Sequence, residues 1–159
     1  MEFLSELHPR IVHFPVALFI IYFFLETFGI IFRKDYMLKA AYLILIAGVF
    51  TALLAVLTGN QAHIATKLII NNKSDLNDLI ELHENYATIT VWYFSAVLIF
   101  RTYLMVKKKF WESITAVNGK LKYLFVVLGL IGCYLIYVTG IHGGDLVFKH
   151  GIGTQLFGK

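Results

Sequence analysis

The chain has 159 residues, of which 58% are hydrophobic, 16% aromatic and only 15% charged. This composition is too apolar for a soluble domain of that size, and it predicts one integral membrane domain. The net charge of +4 could suggest a nucleic-acid partner, but the basic residues are grouped by loop, so we expect no nucleic-acid binding.

Four apolar runs predict four transmembrane helices. A bilayer core of about 30 Å needs roughly 20 apolar residues per helix. The predicted helices span about 11–32, 36–57, 76–107 and 121–141. Small residues in the second run, such as Gly48, permit close helix packing or leave room for a flat cofactor. We therefore predict an all-α fold, a polytopic four-transmembrane-helix bundle in which residues 1–159 form a single domain.

The basic residues indicate the orientation of the bundle. Eight Lys and Arg residues lie in the two connections on one side, and five lie on the other side together with most of the acids. An excess of Lys and Arg marks the cytoplasmic side. Both termini should then face outward, which is into the periplasm if the bacterium is Gram-negative. The same outer face would carry all six histidines: His8, His13, His63, His83, His142 and His150.

The first helix begins between two prolines. Pro9 suits a first helical turn, whereas Pro15 would kink a helix already begun. Such a kink could turn His13 toward the bundle axis; alternatively, the two prolines fix the loop that leads into the helix. Further along, Glu26 lies inside the predicted span at nearly the depth of Arg101 in the third helix. Opposite charges at one depth predict an ion pair that joins these helices, with a proton path as the alternative.

The outer connection between the second and third helices is the next candidate region. The Thr58-Gly59-Asn60 sequence predicts a helix end. Residues 61–72 should then form an external loop that contains His63, the weakest ligand candidate. After helix-start signals at 74–75, Leu79 and His83 recur at helical spacing. The third helix should therefore project about two turns beyond the bilayer, with His83 facing inward.

The last helix is predicted to end near residue 141. Gly143 and Gly144 permit a tight turn that could fold Asp145 and His150 back over the bundle. Cys133 is the only cysteine, so the chain has no thiolate metal site and no attachment motif for a covalent haem. Any haem would be bound non-covalently.

The two ends of the chain read HPRIVHFP at 8–15 and GGDLVFKHG at 143–151. They resemble the domain-of-unknown-function 2231 family of bacterial membrane proteins, whose pattern runs HP-x-x-VHFP to GG-x-LV-x-x-HG. The resemblance covers essentially the whole chain. It matches His8, His13, Glu26, His83, Arg101, Asp145 and His150, while His142 matches only some members and His63 has no counterpart.

Members of that family occur fused to Rieske iron-sulfur or c-type cytochrome domains. The resemblance thus implies a multi-pass protein of the bacterial inner membrane in an electron-transfer setting. Its partner would be a c-type cytochrome, a Rieske-type protein or a larger respiratory complex.

Three interpretations of the histidines compete. Imidazoles can hold haem b iron axially, with His13, His83 and His142 the best-placed ligands and His8 and His150 next. Three or four of these five histidines with Asp145 or Glu84 could instead bind copper, zinc or non-haem iron. Thirdly, the chain could be a structural subunit of a larger membrane complex. Without an HExxH, a P-loop or a dinucleotide fingerprint, a stand-alone enzyme has little support. The aromatic and small residues of the bundle, together with the redox domains that the resemblance associates with this family, favour a b-type-cytochrome-like electron-transfer subunit.

Overall fold

The computed structural model describes residues 2–69, 74–107 and 119–152, and these residues form helices and no strand. The helices are α1 (Glu2–Ile11), α2 (His13–Ile31), α3 (Asp35–Ile69), α4 (Ser74–Lys107) and α5 (Gly119–Phe148). Four stretches are long and apolar enough to cross a membrane: Leu7–Ile31, Asp35–Ile64, Asp75–Leu104 and Tyr123–Phe148. The prediction of an all-helical membrane protein with four spans is confirmed.

Pro15 divides the first span into α1 and α2. A proline has no N–H to donate to the carbonyl four residues earlier, here that of Ile11, and its ring crowds that carbonyl. The helix accordingly ends at Ile11 and begins again at His13. The break is slight, because Val12 keeps helical dihedral angles and donates to the His8 carbonyl at 3.1 Å.

Helix α3 runs past the helix end that the sequence predicts at 58–60. Thr58 stays within the helix, where its hydroxyl contacts the carbonyls of Leu54 and Ala55 at 3.1 and 3.0 Å. The helix continues to Ile69, so the loop predicted from residue 61 is wrong over 61–69; the rest of that loop lies outside the described residues. With 35 residues, α3 is about 52 Å long and exceeds a bilayer core.

Helix α5 likewise passes through Gly143 and Gly144, so the tight turn predicted there is wrong. Leu146 is buried against Leu76 and Ile80 of α4, and this packing stabilises the extra turns. The helix ends at Phe148. The left-handed turn lies later, at Gly151, which has a φ of 67° and donates to the Val147 carbonyl at 2.9 Å.

The four long helices form a bundle in which α2 and α4 lie on a diagonal. Helices α3 and α5 each pack against both of them, and α1 packs against α3. The histidine end of the bundle is defined here as the end where α1, the last turns of α3, the first turns of α4 and the last turns of α5 meet. The main core fills the bundle with Phe19, Tyr22, Ala41, Leu45, Val49, Ala52, Phe94, Val97 and Ile136.

The bundle consists of two similar helical hairpins, α1–α3 and α4–α5. In the first, His8, Phe19 and Glu26 follow one another at intervals of eleven and seven residues. The second repeats the same intervals with His83, Phe94 and Arg101. These residues lie on α1 and α2 in one hairpin and on α4 in the other.

The second helix of each hairpin carries matching glycines eleven residues apart. A Cβ atom on Gly48 would lie 2.7 Å from Phe19, and one on Gly132 would lie 2.5 Å from Phe94. A Cβ atom on Gly59 would lie 2.9 Å from His8, and one on Gly143 would lie 3.0 Å from His83. Equivalent residues thus make equivalent contacts within each hairpin. Between the hairpins, α2 packs on α5 as α4 packs on α3, so an approximate two-fold axis along the bundle relates them.

Candidate functional site at the histidine end

His8 is half-buried between α1 and α3. Its Nδ1 lies 3.1 Å from Thr58 Oγ1. Because the Thr58 hydroxyl hydrogen is directed to the carbonyls of its own helix, its oxygen accepts from the imidazole, and Nδ1 carries the proton. The Ala55 carbonyl, on the same turn of α3, is a further hydrogen-bond partner of the ring. The His8 imidazole is therefore held against α3 by a hydroxyl and by the backbone.

His83 has the equivalent arrangement between α4 and α5. Its Nδ1 donates to the carbonyl oxygen of Thr139 at 3.1 Å. Thr139 is held in turn by a hydroxyl contact of 3.0 Å with the buried Thr90. Nε2 of His83 has no hydrogen bond within the described part of the chain. The inward orientation predicted for His83 agrees with this position.

His63, the weakest candidate in the sequence, has the shortest of these contacts. Its Nδ1 lies 2.6 Å from Glu84 Oε1, and only 13% of its side chain is exposed. Its Nε2 is buried without a partner among the described residues. The sequence interpretation missed this contact because it assigned residue 63 to a loop. The spacing of Ala52, Ala55 and Gly59 along the buried face of α3, continued by one turn, would have indicated it.

The other predicted ligands lie farther from this arrangement. His142 is half-buried and stacks on Tyr86 with ring centroids 5.2 Å apart. His13 and His150 are exposed, so the expectation that His13 points into the bundle is wrong. Pro15, two residues after His13, occupies the buried face instead.

Asp145 does not fold back over the bundle. Since α5 continues to Phe148, Asp145 lies on the helix surface, where its carboxylate accepts from Lys149 Nζ at 2.8 Å. Glu84, the other predicted carboxylate ligand, is engaged by His63. Neither carboxylate lies among the imidazoles of His8 and His83 as a further ligand.

His8 and His83 are the two imidazoles of this end that occupy equivalent positions in the two hairpins, whereas His63 is already engaged by a carboxylate. Within the described ranges, no group of three or more His, Cys, Asp or Glu residues is arranged to hold a metal ion. A bis-histidine haem needs only two imidazole ligands, whereas structural and catalytic zinc sites use three or four protein ligands. The residues fit axial haem ligation better than a multi-ligand metal centre.

Away from the histidine end, Glu26 and Arg101 form an ion pair across the diagonal of the bundle. Arg101 Nη1 donates to Glu26 Oε2, and Nη2 donates to the Leu38 carbonyl at 2.9 Å. The guanidinium carbon also lies 5.9 Å from the Tyr42 ring centroid and 5.5 Å from that of Phe125. Both charged side chains are at most 5% exposed. This geometry suits an ion pair that joins α2 to α4.

A family model described as "Predicted membrane protein (DUF2231)" matches residues 5–156. The chain belongs to this family. No curated protein and no solved structure matches the chain. The description of the DUF2231 family states membrane residence and no chemistry. The assignment of an activity to this DUF2231 protein therefore depends on the histidine geometry.

Proposed function

We propose that this protein is a membrane electron-transfer subunit that binds haem b through His8 and His83. One observation carries the proposal: two imidazoles at equivalent positions of the two hairpins, one from α1 and one from α4, each have Nδ1 tied to the following helix of their own hairpin, and His63 has no such counterpart. Histidines that bind metals almost always donate from the other ring nitrogen, which fixes the tautomer and strengthens the ligand. Bound there, haem would supply one-electron chemistry at the iron.

The residues around the pair have identifiable tasks in this proposal. Thr58 and the Thr139 carbonyl orient the imidazoles. Holding haem by imidazoles alone agrees with the absence of a covalent attachment motif from the sequence. Copper, zinc or non-haem iron at the same pair is the alternative cofactor. A purely structural role for the histidine hydrogen bonds is the alternative from another functional class.

The proposal extends to the compartment and the partner. An excess of Lys and Arg in the connections away from the histidine end supports an outward-facing histidine end and outward termini in a bacterial inner membrane. A c-type cytochrome, a Rieske-type protein or a larger respiratory complex would then exchange electrons at that face. Reporter fusions after Lys159 test the orientation. Activity of a periplasmic reporter is expected, and activity of a cytoplasmic reporter instead would reverse the topology.

An absorption spectrum tests the cofactor. The protein is purified from cells with adequate haem supply, and spectra are recorded before and after dithionite reduction, with elemental analysis for iron, copper and zinc. We expect a Soret band that His8→Ala and His83→Ala each abolish or shift. The exposed His13 and the α3 histidine His63 provide the controls, because His13→Ala and His63→Ala should leave the band unchanged.

The other outcomes of this experiment decide between the alternatives. A wild-type protein without Soret absorbance would overturn haem binding. Stoichiometric copper, zinc or non-haem iron in that sample would favour the metal alternative. A sample with neither haem nor metal would leave the structural role.

A further inference from the structure

Equivalent residues of the two hairpins meet each other at two levels of the bundle. Phe19 and Phe94 stack with ring centroids 3.7 Å apart and an interplanar angle of 3°. Glu26 and Arg101 meet as the buried ion pair described above. Residues related by a two-fold axis contact each other only where both lie beside that axis. The axis therefore passes between the two phenylalanine rings and through the ion pair.

The histidines occupy a third level of the same arrangement. His8 precedes Phe19, and His83 precedes Phe94, by eleven residues, which is about three turns of helix and about 16 Å along it. Eleven residues return α4 to nearly the same face, so His83 comes from the face that reaches the axis below. The break between α1 and α2 is slight, because Val12 keeps helical dihedral angles, so His8 comes from the equivalent face.

We infer that His8 and His83 form one ligand site on the approximate two-fold axis, which takes a single cofactor with one imidazole from each hairpin. The cofactor class rests on the proposed function, whereas the axial position rests on the contacts alone. Two independent sites, one in each hairpin, would not bring the equivalent histidines toward each other. The site is thus incomplete in either hairpin by itself.

Gly59 and Gly143 are the positioning residues of this site. An added Cβ would lie 2.9 Å from His8 Cε1 at Gly59 and 3.0 Å from His83 Cε1 at Gly143. Each imidazole edge therefore rests directly on the backbone of the neighbouring helix. A methyl group at either position must push the ring away. The atom that moves is the end of a side chain, so the fold should tolerate the change.

Alanine substitutions test these two positions. Gly59→Ala and Gly143→Ala should each weaken the binding of added ferric haem to the apoprotein by about tenfold, as is usual when a partner of a metal ligand is altered. Electron paramagnetic resonance of the ferric protein should show altered axial ligation in both variants. Gly140→Ala is the matched control on α5, because a Cβ there meets nothing within 4 Å. An effect at only one of the two positions, or an equal effect at Gly140, would overturn the inference.

Stoichiometry and cross-linking separate the inference from the proposed function. One haem per chain is expected, and two would overturn the shared site. Without any haem, the double variant His8→Cys/His83→Cys in a Cys133→Ser background should still be joined by a short bifunctional maleimide. His13→Cys/His83→Cys provides the exposed control and should react poorly.

The two hypotheses can then fail separately. Cross-linking without haem binding would remove the proposed function and leave the axial arrangement of the two histidines intact. Haem binding without cross-linking, in contrast, would remove the shared site on the axis and with it His8 and His83 as joint ligands, while leaving haem binding itself intact.

Discussion

The two hairpins present their histidines alike although their first helices are built differently. Seven residues after His8 the chain has Pro15, and seven residues after His83 it has Thr90; both residues are buried. Pro15 interrupts the first helix, whereas the Thr90 hydroxyl donates to the Tyr86 carbonyl at 2.7 Å within an unbroken α4. Contact with the following helix, through glycine and a Nδ1 hydrogen bond, is common to both. That contact, and not the continuity of the helix, orients the imidazole.

The hairpins differ again where they meet inside the bundle. Two equivalent aromatic residues can stack across the axis, as Phe19 and Phe94 do. Two equivalent charges would repel each other in a medium of low dielectric constant. The hairpins instead carry Glu26 and Arg101 at equivalent positions, and these residues neutralise each other. A charged residue beside the axis is therefore compatible with the repeat only if the equivalent residue of the other hairpin carries the opposite charge.

The largest expected effect comes from breaking this opposite-charge pair. Arg101→Met leaves the Glu26 carboxylate buried alone, which should destabilise the protein by about 3–5 kcal/mol. The double replacement Glu26→Leu/Arg101→Met should restore most of that loss, because no unpaired charge remains. Denaturant unfolding in detergent measures both variants. A double variant no more stable than Arg101→Met would show that the two charges do not depend on each other.

Substitutions at the equivalent positions Pro15 and Thr90 test the difference in helix continuity between the two hairpins. Thr90→Pro should break α4 and destabilise it by about 3 kcal/mol or more, since an interior proline removes a hydrogen bond and clashes with the preceding turn. Pro15→Ala restores an N–H at an existing break and should change stability by less than about 1 kcal/mol. Thermal unfolding of the two variants gives the comparison. Equal losses would mean that the break at Val12 is itself required.

A third prediction tests whether the two hairpins pack alike at Gly48 and Gly132. Gly48→Val and Gly132→Val each insert a branched side chain against a phenylalanine ring, and each should cost about 1–3 kcal/mol by overpacking. Gly140→Val, with open space around it, controls for the backbone change and should cost less. The measurement is the unfolding midpoint of each variant. Strongly unequal costs at Gly48 and Gly132 would contradict equivalent packing.

The smallest effect is expected where the hairpins touch away from the axis. Glu84→Gln weakens the contact of His63 with a carboxylate that is 38% exposed, so the loss should stay below about 1 kcal/mol. Asp145→Asn removes an exposed pair between α5 and Lys149, the residue that follows it, and should cost even less. Unfolding at low and high salt distinguishes the two, because only exposed pairs are well screened. A loss of several kcal/mol for Glu84→Gln would mean that this contact, too, is essential to the bundle.

The duplication could be predicted from the sequence in hindsight. Glu-Leu-His occurs at 6–8 and again at 81–83, and each copy is followed by Phe after eleven residues and by a charged residue and Thr after eighteen. The signal is faint, because between these positions the two copies share only the apolar character that any transmembrane helix requires. The pairing of the charged residues could be predicted, because charged residues stand out within apolar runs. A carboxylate and a guanidinium in such runs each need a partner of opposite charge, and here each provides the partner for the other.

The sequence by itself determined the membrane class, the four spans and the depths of the charged residues, because hydropathy and helix length follow directly from composition along the chain. Only the tertiary structure decided which histidines are held between helices. His13 and His8 are five residues apart, yet one is exposed and the other is held by α3. The direction in which a histidine points depends on the rotation of its helix about its own axis. That rotation is set by contacts with glycines and aromatic rings of helices that are distant in sequence. The extension of α3 past Gly59 and of α5 past Gly143 was decided in the same way, since packing between helices outweighed the local preference of glycine for ending them.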